Sequence, residues 1–357
     1  MTVRATLQLR DDHYPNLTKT YSALLRTVRD SGLLRRRRGF YMSVMAGLTV
    51  AFAGLLAGGY LLGDSWFQLL IAGALGIVLT QFAFLAHEAS HRQIFQSGPM
   101  NDKLGRLLAV FVVGMSYSWW MNKHNRHHGN PNRLGHDPDI ETDTISFYEE
   151  EAAKSRGFVR WITQRQGTLF FPLLLLEGLN LHALSVRSLV SRGFTKSNTI
   201  ELSVIVVRFI AYFGILFTFL SWPIALAFLG VQLGVFGLYM GASFAPNHKG
   251  LPIIPEDSRL DFFSKQVLTS RNVSGGLVST AAFGGLNYQI EHHLFPNMPR
   301  PHLAKARVIV REYCESLSVP YHETTVWQSW GIVIRYLNRV GLAARDPWEC
   351  PMVEARR

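Results

Sequence analysis

Long apolar runs with almost no charge, separated by short polar links, dominate the pattern of this chain. Two runs cover roughly Met42–Leu62 and Trp66–Ala86, and two more cover roughly Leu202–Leu220 and Ile224–Ala245. Each run has about the 20 residues that a helix needs to cross the hydrocarbon core of a bilayer. The links within each pair are too short to hold a domain, so each pair is predicted to be a helical hairpin.

These runs predict an all-α membrane protein with four transmembrane helices in two hairpins and a cytoplasmic helical cap. The pattern divides this single integrated domain into an N-terminal cytoplasmic segment (1–41), a first hairpin (42–86), a cytoplasmic or interfacial segment (87–201), a second hairpin (202–245) and a cap (246–357). Two further apolar runs, Leu104–Trp120 and Leu169–Leu176, are predicted to be interfacial helices that dip into the lipid. Amphipathic stretches at Leu303–Leu317 and Val326–Val340 are predicted helices of the cap.

Positive charge is distributed unevenly around the hairpins. Arg35–Arg38 directly precede the first run, neither hairpin link contains Lys or Arg, and the segment between the hairpins contains many. The positive-inside rule therefore places both termini and the central segment in the cytoplasm. The net charge of +11 fits this topology and the anionic head groups of a lipid bilayer. We expect no nucleic-acid partner.

Histidine clusters lie close to the ends of the apolar runs. Three clusters cover 87–91, 124–128 and 289–293, and His248 stands alone after the fourth run. The candidate ligands are His87, His91, His124, His127, His128, His248, His292 and His293. Spacings of three or four residues place the rings of a cluster on one helix face, and an even number of predicted crossings separates every pair of clusters. Because four ligands complete a zinc site, the pattern predicts a two-metal centre at one membrane surface.

The ligand set narrows the choice of metal. Neutral imidazole suits iron, copper, nickel and zinc, so the type of ligand does not decide. Eight histidines could give about four nitrogens to each of two ions and leave positions open for a small molecule. Iron with open positions is the usual solution for activating dioxygen, whereas redox-inactive zinc would have little use for so many neutral ligands. Two iron ions with dioxygen as co-substrate are therefore expected.

Two other classes of protein fit part of the pattern. His87 to His91 also read H-E-x-x-H, the zinc metalloprotease helix, in which Glu88 would be the general base. A protease would leave most of the other histidines without a role, so this interpretation is less favoured. At an oxygen-activating site Glu88 would instead orient an imidazole N–H. A metal transporter would need polar groups within the spans, and these four runs offer few.

Arg208 and two tryptophans stand out within or beside the apolar runs. Arg208 lies about two turns inside the third run, where a charge is costly. It is predicted to snorkel toward the cytoplasmic interface, with contact to a substrate head group as the alternative. Trp119 and Trp120 are typical of an interfacial belt and could also line a tunnel.

The three clusters, their order and their position relative to two apolar hairpins resemble the membrane fatty acid desaturases. The resemblance extends over most of the chain, from the first apolar run to His302. The segment GHDPDI at Gly135–Ile140 is similar to that family. The segment QIEHHLFP at Gln289–Pro296 is similar to its front-end and acyl-lipid members in particular.

This resemblance implies a non-haem di-iron enzyme that uses dioxygen and two electrons. It would remove two hydrogens from adjacent carbons of a long-chain fatty acyl group, forming a cis double bond and water. Seven of the eight histidines match the family's ligands, and His248 matches an additional ligand seen in relatives. Gln289 stands where many members have histidine, so direct binding, binding through water and no binding stay open. The remaining candidates beside the metals are Glu88, His136, Asp137, Asp139 and Glu291.

The resemblance also bears on partners and location. Front-end enzymes often carry a fused haem-binding donor domain with a His-Pro-Gly-Gly motif, and this motif does not occur here. We therefore expect a separate electron donor, such as a ferredoxin or flavin reductase system or a small haem protein. The acyl group could arrive on coenzyme A, a carrier protein or an intact lipid. The compact chain favours a bacterial plasma membrane. For the activity, the nearest alternatives are lipid hydroxylases and carotenoid-oxygenating enzymes, which also have three histidine clusters.

Overall fold

The computed structural model describes residues 18–345, except 142 and 194. In the first half of the chain the helices are α1 (Thr18–Asp30), α2 (Arg38–Leu62), α3 (Gln68–Ser90), α4 (Gly98–Arg106), a π-helix (Leu107–Val113), α5 (Tyr117–Gly129), α6 (Glu149–Lys154) and α7 (Gly157–Thr163). In the second half they are α8 (Gln166–Ser191), α9 (Lys196–Phe219), α10 (Trp222–His248), α11 (Phe262–Leu268), α12 (Gly276–Ala282), α13 (Gln289–Leu294), α14 (Arg300–Ser316) and α15 (Val326–Leu342). Both termini, whose cytoplasmic placement was predicted, lie outside the described residues.

Five helices in the described part of the chain are long and apolar enough to cross a membrane, which is compatible with a multi-pass membrane protein. Four of them, α2, α3, α9 and α10, correspond to the predicted hairpins. The fifth is α8, which extends far beyond the short run Leu169–Leu176 because polar residues interrupt its apolar sequence. The predicted count of four spans is therefore not confirmed.

The apolar run Leu104–Trp120 is broken rather than forming one interfacial helix. The helical stretch Gly98–Val113 and helix α5 meet at an angle of 116°. Gly114 adopts a φ of 92° at the break, a left-handed conformation that glycine adopts without steric cost. Ser116 then caps α5, since its hydroxyl accepts a hydrogen bond from the amide of Trp119 at 3.1 Å. The break directs α5 toward the cluster of histidines.

Helix α10 packs between α3 and α8, and glycines allow the close approach. A Cβ atom on Gly76 of α3 would lie 2.8 Å from the carbonyl oxygen of Gln232 on α10. A Cβ on Gly237 of α10 would lie 2.2 Å from the backbone nitrogen of Gly178 on α8. Small residues at these crossings let helix backbones approach closely, so substitution at either glycine would separate the helices.

The C-terminal helices pack beside the end of α10. The predicted amphipathic stretches form α14 and α15, and a buried core joins α14 to α1, α11 and α13. Trp330 of α15 donates its indole N–H to the carbonyl of Ala242 on α10 at 3.0 Å. Two three-residue strands, β1 (Asn272–Ser274) and β2 (Glu323–Thr325), pair in parallel. The strict all-α prediction missed them because three residues are too few to show an alternating pattern.

Candidate metal centre

The eight predicted histidine ligands lie together in two adjoining groups. The first group contains His87, His91, His124, His128 and His292, and the second contains His127, His248 and His293. Within each group the candidate ligand atoms all lie within 4.8 Å of one another. The groups adjoin closely, since the rings of His128 and His293 stack with centroids 4.2 Å apart.

Helix ends supply most of these side chains. His87 lies in the last turn of α3, His91 is the residue that ends it, and His248 is the final residue of α10. The third cluster lies on the short helix α13. On α5, His124 and His128 are four residues apart and therefore share a face, whereas His127 projects toward the second group. One helix thus supplies both groups.

The second group has the surroundings of a metal site. The Nδ1 atom of His248 lies 2.8 Å from the carbonyl oxygen of Thr269, and that of His293 lies 2.7 Å from Oε1 of Gln266. With Nδ1–H donated in this way, the lone pair is on Nε2, which faces the group. The Nε2 atom of His293 is buried and has no hydrogen-bond partner. These residues therefore fit a metal ion.

The nitrogens of the first group converge in the same way. Nε2 of His124 lies 2.7 Å from Nε2 of His91 and 3.1 Å from Nε2 of His87. Nε2 of His292 lies 3.1 Å from Nε2 of His128. Burial lowers the pKa of His91 to about 3, and it lowers the pKa of His292 as well. In the ligating tautomer these rings present facing Nε2 lone pairs, which repel one another unless a cation lies between them, so this group also fits a metal.

Two predicted carboxylates support His127. Oδ1 of Asp137 lies 3.0 Å from Nδ1 of His127, and Oδ2 of Asp139 lies 3.4 Å from it. Asp139 also lies 2.9 Å from the Nζ atom of Lys123. Burial favours the neutral form of Asp139, but the positive charges of Lys123 and Lys249 hold its pKa below the ordinary value. An anionic pair behind His127 fixes the orientation of its ring.

Gln289 lies beside the second group. Its Nε2 atom is 2.9 Å from Nε2 of His248, and its Oε1 accepts a hydrogen bond from Nδ2 of Asn247 at 3.1 Å. The side chain is almost fully buried. The second group has three histidines, and Gln289 lies beside them in the position of a fourth side chain.

The predicted role of Glu88 is wrong. Arg300 donates from Nε to Oε1 of Glu88 at 2.8 Å and pairs with the other carboxylate oxygen as well. The hydroxyl of Tyr41 donates to Oε1 at 3.2 Å. The side chain points away from the histidines because residues one position apart on a helix differ in direction by about 100°. Glu88 is not available as a general base in this arrangement.

Two other predicted neighbours also lie away from the imidazoles. Glu291 accepts hydrogen bonds from Asn272 at 2.7 Å and from the hydroxyl of Tyr321 at 2.8 Å. Burial raises the pKa of Glu291 to about 7. The side chain of His136 is exposed, and His136 belongs to neither ligand group.

An apolar cavity adjoins the first group. Its volume is about 30 Å³, and its lining includes Ala86, His87, Val113, Met115, Trp120 and Phe244. The indole ring of Trp120 stacks on the ring of His124 with centroids 4.3 Å apart. The cavity therefore places an apolar wall directly beside candidate metal ligands.

Sequence reasoning missed the partners that hold the ligands in place. Gln266, Thr269 and Arg300 lie outside the histidine clusters and carry no recognisable motif. Arg300 meets Glu88 across 212 positions of sequence, and Thr269 contributes only a backbone carbonyl. Such contacts arise from tertiary packing and have no local signal in a single sequence.

The chain combines long apolar helices, two groups of histidines and an adjoining apolar cavity. These features are typical of a membrane enzyme that acts on an apolar substrate. The fatty acid desaturase family model matches residues 64–325, and the chain belongs to this family. It is 27% identical over 353 residues to "Delta(8)-fatty-acid desaturase 2" of Arabidopsis thaliana, covering 95% of this chain and 78% of that protein.

Two further relatives differ in their named specificity. The chain is 28% identical to "Delta(6)-fatty-acid desaturase fat-3" of Caenorhabditis elegans, covering 91% of this chain and 75% of that protein. It is 26% identical to "Acyl-lipid (9-3)-desaturase" of Borago officinalis, covering 95% of this chain and 78% of that protein.

This chain is therefore a fatty acid desaturase, an oxidoreductase that acts on a fatty acyl substrate. The family match overturns the protease and transporter interpretations, and the names of the relatives favour desaturation over hydroxylation. These relatives are eukaryotic, so they give no support to the predicted bacterial plasma membrane.

Proposed function

We propose that the chain introduces a cis double bond into a long-chain acyl group that lies along the apolar wall of this cavity. Two iron ions would be held by the two histidine groups, and dioxygen would be the oxidant. The observation that carries this proposal is the convergence of all eight histidines beside one apolar cavity. Unactivated methylenes offer no handle for acid–base chemistry, so a metal-based oxidant is required.

The ligands divide as the geometry groups them. One ion would be held by the five histidines of the first group, and the other by His127, His248 and His293. Gln289 would complete the second site directly or through a water molecule. When bound, the two irons activate dioxygen with the help of two electrons from a donor.

The protein's own residues would orient the substrate and exclude water. The wall formed by Ala86, Val113, Met115 and Phe244 offers an acyl chain only apolar contacts. Trp120 lies against both the cavity and His124, so the indole would set how closely a methylene approaches the first group. Asp137, Gln266 and the carbonyl of Thr269 would keep the second group of rings in the ligating tautomer.

The reaction needs a separate source of electrons. Reducing dioxygen to two waters takes four electrons, and the carbon–carbon desaturation supplies only two. A ferredoxin or flavin reductase system, or a small haem protein, would supply the other two. Of the three possible acyl carriers, an intact lipid is supported by the name of the borage relative.

We infer that four helices cross the bilayer and that α8 lies along the membrane surface. Helix α10 ends at the metal centre, so its antiparallel partner α9 begins on that side, and α8 ends only a few residues before α9. At the other end of α8, Gln166 donates to the carbonyl of Leu337 in the cap at 3.0 Å. If α8 crossed the membrane, its two ends would lie on opposite sides. Both ends instead lie on the side of the metal centre, so α8 is inferred not to cross.

The distribution of charge supports one orientation of this topology. The arginines before α2 and the basic central segment support a cytoplasmic position for the metal centre and the cap. The five segments of the sequence prediction would then form one integrated desaturase domain.

Product analysis tests the proposed reaction. The wild-type chain, the variant His292→Ala and the control His302→Ala are expressed in a host that makes no unsaturated fatty acids, with and without oxygen. We expect the wild type and the control to yield, only with oxygen, acyl groups lighter by two hydrogens, and His292→Ala to yield none. Products that gain an oxygen atom, or full desaturation by His292→Ala, would contradict the proposal.

A further inference from the structure

The break between the π-helix and α5 leaves backbone groups without helical partners. The carbonyls of residues 111–113 lie at the end of one helix and the first amides of α5 at the start of the next, so these groups have no hydrogen-bond partner within a helix. In an apolar region such groups must find partners inside the protein, because lipid supplies none. In this structure α8 and α9 supply those partners.

Arg208 of α9 binds the carbonyl side of the break. Its Nε donates to the carbonyl oxygen of Phe111 at 3.1 Å, and its Nη2 donates to that of Val112 at 3.0 Å. Snorkelling toward the interface stays a prediction for this residue, and the partners of its guanidinium in the structure are these two backbone carbonyls. A Cβ at Gly114 would lie 2.7 Å from Nη1 of Arg208, so only glycine leaves room for the guanidinium.

His182 and Ser185 of α8 bind the two sides of the break. Nε2 of His182 lies 3.2 Å from the carbonyl oxygen of Val113. The hydroxyl oxygen of Ser185 accepts a hydrogen bond from the amide of Ser116 at 2.5 Å. Both side chains are buried.

Glu201 of α9 binds the first turn of α5. Its Oε2 accepts hydrogen bonds from the hydroxyl of Ser116 at 2.7 Å and from the amide of Ser118 at 3.2 Å. The other carboxylate oxygen pairs with Arg106. A carboxylate at a helix N-terminus also interacts favourably with the helix dipole. His182, Ser185, Glu201 and Arg208 together are called the break clamp below.

The segment held by the break clamp is also a wall of the apolar cavity. Val113, Met115, Ser116 and Tyr117 all line it, and α5 continues from there to His124. We propose that the break clamp positions this wall, and that Arg208 is a positioning residue for the choice of substrate carbon. The clamp would fix how far an acyl chain enters and which methylenes lie beside the metal centre. This inference rests on the proposed function of the cavity.

Arg208→Met tests the inference, with Arg187→Met as a matched control. Arg187 lies exposed on α8 and is not part of the break clamp. Purified enzymes receive acyl substrates of graded chain length, and double-bond positions are read by mass spectrometry. We expect Arg208→Met to keep the wild-type iron content but to change the ratio of kcat/KM between chain lengths by about tenfold, the effect of about one methylene. New double-bond positions should accompany that change.

Ser185→Ala decides the matter if Arg208→Met does not accumulate. It removes one hydroxyl from the break clamp, and Ser188→Ala on the same helix is its control. A shift of product profile in the direction of Arg208→Met, but smaller, supports the proposal. Unchanged profiles, or a uniform loss of rate with unchanged ratios, overturn it. A wild-type enzyme that forms no unsaturated product would instead overturn the proposed function, so the two failures are distinguishable.

Discussion

At the scale of single residues, the histidines could be predicted and their supports could not. Helical spacing and a predicted common membrane face identified all eight ligand candidates from sequence alone. The interaction of Glu88 with Arg300 could not be predicted, because it joins the end of α3 to the start of α14. Both side chains are buried, with 2% and 5% of their surfaces exposed. This ion pair joins α3, which carries the first histidine cluster, to α14, which follows the third cluster.

Removing Arg300 tests that role. Breaking a buried ion pair leaves an uncompensated charge, which costs about 3–5 kcal/mol. We expect Arg300→Met to lower the free energy of unfolding by about that amount, and Arg307→Met, at the half-exposed pair with Glu323, by roughly 1 kcal/mol or less. Denaturant titration of purified protein in detergent measures both. Adding Glu88→Gln to Arg300→Met should recover part of the loss, and equal losses in the two single variants would contradict the account.

At the scale of helices, length and apolarity predicted the hairpins but not their surroundings. The four predicted runs lie in α2, α3, α9 and α10, because a long apolar segment in lipid must satisfy its backbone hydrogen bonds internally, as a helix does. Helix α8 was not predicted at its full length, since Glu177, Asn180 and Arg187 interrupt its apolar pattern. The break at Gly114 was missed because its stabilising partners come from other helices.

Cysteine labelling tests the surface position of α8. In a Cys350→Ser background, single cysteines replace Arg165 and Ser191 at the two ends of α8, and Ser221 before α10 is the control. We expect a membrane-impermeant maleimide to label only the Ser221 position in intact cells, and all three after permeabilisation. Burial raises the pKa of Cys314 to about 12, so this thiol stays unreactive. External labelling at one end of α8 alone would show that α8 crosses the membrane.

At the scale of the whole molecule, the fold gathers distant segments around one centre. Ligands come from α3, α5, α10 and α13, so bound metal would hold together helices that span most of the chain. The sequence predicted this convergence because the predicted crossings put the clusters on one membrane face. It could not predict the position of the double bond, because that depends on how the cavity wall is held and on no motif.

Metal analysis of the purified protein tests the central claim, that the two histidine groups hold two irons. We predict two irons per chain for the wild type and for the control His322→Ala, since His322 belongs to neither group. His91→Ala in the first group and His248→Ala in the second should each lower the iron content to about one, because the remaining ligands of each group hold iron weakly. One zinc per chain in the wild type, or two irons in both single-group variants, would contradict the account.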